Sequence, residues 1–229
     1  MTSPKIKLTY FDIEGVAEPV RLAFALGGIE FEDHRVQFSD WGAMKPTTPY
    51  GTLPLMHVDG SNKPKTQSGA MLRYAAALNP SANLYPSDKL FEIEEAIGIL
   101  GDMNRAWQPC LYVSMRPQNY GHPEDFAKTP EGQELVKTMR KKFVDTELPK
   151  YLKFLADYID EHGGGKFLCG GDAPTIADCM AVPQLRAFTR GHIDHVPTDC
   201  LNCEPRIVEY IKRFLELEKI KGRYTDGLH

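Results

Sequence analysis

The chain has 229 residues, 42% of them hydrophobic and 25% charged, with a net charge of −4, enough for one large core or two smaller ones. The mild acidic balance and the scattered lysines argue against a nucleic-acid partner. No run approaches the roughly 20 apolar residues of a membrane span, and Met1 to Lys7 lacks an apolar signal core, so neither a membrane nor a secretory location is expected.

Lys5 to Phe11 alternates as a strand, with Ile6, Leu8 and Tyr10 on one side. After the break at Gly15, Glu18-Pro19 opens a helix whose buried face is Val20, Ala23, Phe24 and Gly27, stopped by Gly27-Gly28. Phe31 to Phe38 reads as a second strand, and Ser39 to Lys45 as a short irregular helix closed by Pro46 and Pro49. From Gly51 the chain reads Thr-Leu-Pro, an apolar run to Val58, the turn Asp59-Gly60 and a return to Lys65, the signature of a hairpin. Pro54 cannot donate to a ladder, which leaves the Leu53 backbone free to pair with something other than protein. Ser68 opens the next helix, where its hydroxyl and the first free N–H groups suit a carboxylate. An unpaired strand edge beside an anion-holding helix start fits a small acidic peptide.

Asn79 to Asp88 reads as a linker, and no strand pattern returns after it. Ile93, Ile97, Leu100 and Trp107 recur at helical spacing, as do Leu135, Met139 and Phe143, then Leu148, Leu152, Leu155 and Ile159, with a bend expected near Pro149. Arg116 to Pro130 is expected to be a polar, mobile surface loop between these helices. Thr175 to Asp178 is a capping box with Asp in place of Glu, and Ile207, Ile211, Phe214 and Leu217 mark a last helix. The five cysteines are odd in number and mostly set among apolar residues, as in a reducing, cytoplasmic compartment. Cys200 and Cys203 have Cys-x-x-Cys spacing, but no second pair completes a zinc site, so no metal is expected.

A strand-terminal tyrosine, Leu-Pro before a third strand, Gln67-Ser68 at a helix start and a following all-helical region with Thr-x-x-Asp together resemble the cytosolic glutathione S-transferases. Lys7 to Phe11, Asp40-Trp41 to Lys45, and Gln67-Ser68 resemble the sigma class, which includes haematopoietic prostaglandin D synthases and cephalopod lens crystallins. The resemblance implies an α/β thioredoxin-like N-terminal domain (residues 1–80), a linker (81–88) and an all-α helical domain (89–229) that forms the electrophile site. It implies that Tyr10 faces the glutathione sulfur, that Trp41 and Lys45 hold the glycyl carboxylate, and that Leu53, ahead of a cis Pro54, pairs with the cysteinyl unit. Gln67 and Ser68 would hold the γ-glutamyl end, with Asp102 reaching across the interface of a homodimer. Phe11, Ile13, Met103, Trp107 and Tyr112 are candidates for the apolar wall of the second site. Glutathione is then a co-substrate, with no further cofactor, and the partner is a hydrophobic electrophile. Glu14 and Val16 stand where sigma-class relatives often carry basic residues. The implied function is conjugation of glutathione to small apolar electrophiles. Prostaglandin-type isomerisation, or a non-enzymatic crystallin-like role on the same fold, are the alternatives.

Overall fold

The computed structural model describes residues 4–162 and 164–225. Strand β1 (Ile6–Phe11) is central in a three-stranded sheet, parallel to β2 (Glu32–Val36) and antiparallel to β3 (Leu55–Val58). Helix α1 (Glu18–Gly27) forms the crossover between β1 and β2 and buries Val20, Ala23, Phe24 and Gly27 as its spacing predicts. It ends where Gly28 adopts φ +64°, a left-handed cap that glycine enters without steric cost. Helix α2 (Phe38–Met44) is short, as expected, and continues into a single tight turn at Lys45–Thr47.

The Asp59-Gly60 turn forms with both residues at positive φ, 52° and 69°, the backbone of a tight hairpin. Its return limb is not a strand. Only Lys65 pairs with β3, exchanging two backbone hydrogen bonds of 2.8 and 3.0 Å with Met56, because Ser61 to Lys63 are polar and exposed and Pro64 has no N–H to give. Helix α3 (Ser68–Leu78) follows and packs on α1.

Among the described residues after α3 the long elements are all helices: α4 (Leu90–Met115), α5 (Pro130–Lys142), α6 (Leu148–His162), α7 (Ile176–Ala187) and α8 (Pro205–Leu215). The bend expected near Pro149 takes the form of a π-helical stretch, Phe143–Glu147, joining α5 to α6 just before the residue that lacks an N–H. Thr175 caps α7, and Asp178 completes the box as expected. Its fully buried carboxylate also accepts from Leu168 N at 2.9 Å and from the Tyr210 hydroxyl at 2.9 Å. The Arg116–Pro130 connection is more built than its composition suggests. It holds two single helical turns, Pro117 is buried, and Gly132 passes so close to the Phe126 carbonyl that a Cβ there would lie 1.9 Å from the oxygen. One buried proline and one close backbone crossing leave no periodic signal in a sequence. All five cysteines are free thiols, three of them buried.

Candidate active site

Tyr10 lies at the end of β1 and is only 8% exposed. Its hydroxyl accepts a long hydrogen bond, 3.4 Å, from the Val16 N–H. Burial pushes its pKa above the ordinary value. The Val16 N–H and the Arg21 guanidinium, 5.8 Å from the ring centroid, pull the other way, while nearby Tyr112 adds to the rise. Tyr10 is therefore a neutral phenol at physiological pH and a hydrogen-bond donor. Gly15 makes this contact possible: it sits at φ +46°, and a Cβ there would come within 2.6 Å of the Tyr10 oxygen.

The turn after β1 is gripped by Arg21 of α1, whose Nη1 donates to the Ile13 carbonyl at 2.9 Å and the Glu14 carbonyl at 3.3 Å. Arg21 is fully buried and paired with Glu18 and Asp33, while its Nη2 has no hydrogen-bond partner. Arg35 also reaches the Ile13 carbonyl, at 3.5 Å. Neither arginine is among the residues singled out from sequence, where Gly15 marks only the end of a strand. The available signal was an arginine embedded between Val20 and Leu22, where an unpaired charge would be costly. A polar cavity of about 410 Å³, lined by Glu14, Glu18, Arg35, Arg190 and Arg223 among others, contains neither Tyr10 nor any of the candidates for holding glutathione.

Backbone register brings the remaining candidates to the same end of the sheet. Thr9 pairs with Leu55, so continuing the antiparallel ladder sets Pro54 and Leu53 level with Tyr10 and Phe11. Met56 bridges Lys65, and the same continuation sets Gln67 level with Pro54. The Leu53–Pro54 bond is cis, and the Leu53 N–H and C=O make no hydrogen bond among the described residues. Gln67 sits at φ 71°, unusual for a residue with a side chain, and its carbonyl accepts from Ala70 and Met71. The N–H groups of Ser68 and Gly69 at the start of α3 find no acceptor among the described residues. Trp41 meets the Phe11 ring edge-on at 5.5 Å, Phe11 stacks on Phe38 at 4.6 Å, and the exposed Lys45 stem lies over Gly51.

Among the wall candidates, Phe11 and Tyr112 are half-buried beside Tyr10 and Ile13 is exposed. Met103 and Trp107 are placed differently. Both are buried in the helical core, Trp107 against Phe143 and Phe188 at 4.9 and 5.1 Å, because both lie on the buried face of α4 that the spacing of Ile93, Leu100 and Trp107 marks. Asp102 is exposed on α4 and paired with Arg105.

Residues 125–224 match the family described as "Glutathione S-transferase, C-terminal domain". Glutathione S-transferase 4 of Caenorhabditis elegans is 45% identical over 220 residues, covering 96% of this chain and 95% of that protein. The sigma-class glutathione S-transferase of Fasciola hepatica superposes with a TM-score of 0.71 at 27% identity, over 93% of this chain and 91% of the other. Prostaglandin synthase D of Nilaparvata lugens gives 0.75 at 25% identity, over 95% and 96%. The likeness to the nematode protein is high and nearly end to end, and the elements that hold the candidate site lie within it: the chain belongs to the glutathione S-transferase family.

Proposed function

We propose that this chain is a sigma-class-like, homodimeric, cytoplasmic transferase that adds the glutathione thiolate to small hydrophobic electrophiles, a detoxifying reaction. One observation carries the reading: a buried, neutral Tyr10 hydroxyl level with an unpartnered Leu53 backbone and an unpartnered α3 start. A thiol of ordinary pKa near 8.5 is only a few per cent ionised at pH 7, and about 2 kcal/mol of stabilisation makes it mostly thiolate. A hydrogen bond to a charged group contributes roughly 1.5–3 kcal/mol, so one tyrosine is sufficient. Tyr10 donates to the thiolate, which attacks the electrophilic carbon and expels its leaving group or adds to its double bond.

In this reading residues 1–80 bind glutathione, 81–88 link, and 89–229 supply most of the electrophile site, with Phe11 and Ile13 contributed from the sheet. The cysteinyl amide pairs with Leu53 beside Pro54. The γ-glutamyl carboxylate meets Ser68, Gln67 and the two free N–H groups, and the glycyl carboxylate meets Lys45 and Trp41. Phe11, Ile13 and Tyr112 face the electrophile, with Met103 and Trp107 as packing behind them. Support for the dimer comes from Phe91, 77% exposed one turn before Glu94, and from exposed Tyr74 beside Arg73, since Arg73 and Glu94 tie α3 to α4. Asp102, exposed on the same helix, then serves the partner's γ-glutamyl amine. Free thiols throughout the chain support the cytoplasmic assignment.

Tyr10→Phe tests the reading. Turnover is expected to fall roughly 10–100-fold while the fold and glutathione binding persist, and unchanged turnover at neutral pH with the bound thiol still ionised would remove Tyr10 from the mechanism. The likeness to a prostaglandin synthase favours a second reading, glutathione-dependent isomerisation of an endoperoxide. Glutathione consumption with an aryl halide, an enal and an endoperoxide separates them, because the isomerase regenerates the glutathione it uses.

A further inference from the structure

Glu14 lies in the turn after β1, four residues beyond Tyr10, yet its carboxylate points to the other half of the chain. Arg186 of α7 donates from Nη1 to both Glu14 oxygens at 3.0 and 3.1 Å, and Arg190, just past the end of α7, reaches Oε1 at 3.1 Å. The Arg186 side chain is fully buried, and its guanidinium lies 3.8 Å from the centre of the Tyr224 ring. The anchor is therefore fixed by packing as well as by charge. We propose that Glu14 is a positioning residue for Tyr10, holding the turn so that the Val16 N–H stays on the Tyr10 oxygen; this rests on the reading of Tyr10 as donor to the glutathione sulfur.

A phenol hydroxyl turns freely about its C–O bond and serves thiolate chemistry only when its hydrogen is aimed at the sulfur. An N–H donated to the oxygen occupies one acceptor direction, leaves the hydrogen to point elsewhere, and strengthens the phenol as a donor. At 3.4 Å this bond is near its limit, so a small shift of the turn breaks it. Gly15 has no side chain to pin the turn, and the exposed Ile13 and Val16 side chains pin it little. What remains is the Ile13 carbonyl held by Arg21 and Arg35, the Glu14 carbonyl held by Arg21 and the Glu18 N–H, and, from the helical half, the carboxylate held by Arg186 and Arg190. The helical half of the chain thus sets a hydroxyl that belongs to the sheet half.

The test compares the pH dependence of kcat/KM and the ultraviolet titration of enzyme-bound glutathione thiolate in the full chain and in Tyr10→Phe, Glu14→Gln and Arg190→Gln. The groups facing Tyr10 are the Val16 N–H, Arg21 and Tyr112, and those facing Glu14 are Arg186, Arg190 and Tyr224, with Arg21 on its carbonyl; none of them is altered by Glu14→Gln. Glu14→Gln is expected to move the bound thiol's titration upward by roughly 0.5–1 pH unit and to lower kcat/KM at about pH 6.5 roughly 3–10-fold. Glutathione affinity should stay nearly constant, and the rates should converge with wild type at high pH, where the thiol ionises unaided. Arg190→Gln, at a side chain 27% exposed, should act in the same direction more weakly, and it keeps the test readable if Glu14→Gln folds poorly. A titration unmoved in both variants, or a loss of rate that is equal at every pH, overturns the proposal whatever happens to Tm. If Tyr10→Phe itself leaves the titration unmoved, it is the reading of Tyr10 that falls, and the two failures are told apart.

Discussion

At the tyrosine end of the site, Arg21, Arg35, Arg186 and Arg190 all converge on the Ile13–Glu14 turn, whereas at the other end the side chains of Trp41, Lys45, Gln67 and Ser68 make no hydrogen bond or ion pair among the described residues. The contrast follows the division of labour proposed for the site. A group that must meet a developing charge gains most when its geometry is fixed beforehand. Groups that recognise the ends of a flexible peptide lose less by being ordered when it arrives.

The largest effect should come from breaking the fixed end. Gly15→Ala puts a methyl group on the Tyr10 oxygen and asks a side chain to hold φ +46°, so kcat/KM is expected to fall roughly 100-fold or more. A near-normal value in steady-state assays would show that the end is softer than its geometry implies. Next comes Glu18, buried at the base of the same arginine cluster. Burial alone would raise its pKa, but the hydrogen bond and charge of Arg223, with Tyr224 and Arg21, outweigh this and hold it below the ordinary carboxylate value. A depressed carboxylate stabilises the fold above that value and loses its contribution as the pH falls through it. Glu18→Gln should therefore lower Tm by roughly 5 °C or more at pH 7, with the gap to wild type closing below about pH 4.5. A gap independent of pH in thermal melts would rule out charge as the cause.

The open end should answer differently. Lys45→Met is expected to raise KM for glutathione roughly 5–10-fold and leave kcat within about twofold, the pattern of a lost binding contact. A fall in kcat with KM unchanged would place Lys45 in the chemistry and erase the contrast. The smallest effect belongs to Gln67, held at φ 71°. Gln67→Gly should stabilise the fold by about 0.5 kcal/mol while weakening glutathione binding roughly threefold, both readable by thermal shift with and without ligand.

How much of this was legible depended on range. Helix α1 with its glycine stop, the Thr175–Asp178 cap and the open Leu53 edge each announce themselves within a few residues. The return limb after Gly60 misled because the turn chemistry is correct while Pro64 disables the strand that should follow. Met103 and Trp107 show the limit of periodicity, which marks a buried face without saying whether a core or a cleft lies against it. Glu14 stands out in the sequence only as a departure from the resembled class, and its grip could not be read there, since Arg186 is 172 residues away.

The Tyr224 ring beneath Arg186 carries a consequence for the order in which the molecule is made. Two of the partners of Glu18, Arg223 and Tyr224, lie 205 and 206 residues further along the chain and leave the ribosome that much later. The sheet and its first helices can assemble during synthesis, as N-terminal segments generally do. The stack that steadies Arg186 on Glu14 cannot close until Tyr224 has emerged, so the turn behind Tyr10 is finished long after the strand and helix on either side of it.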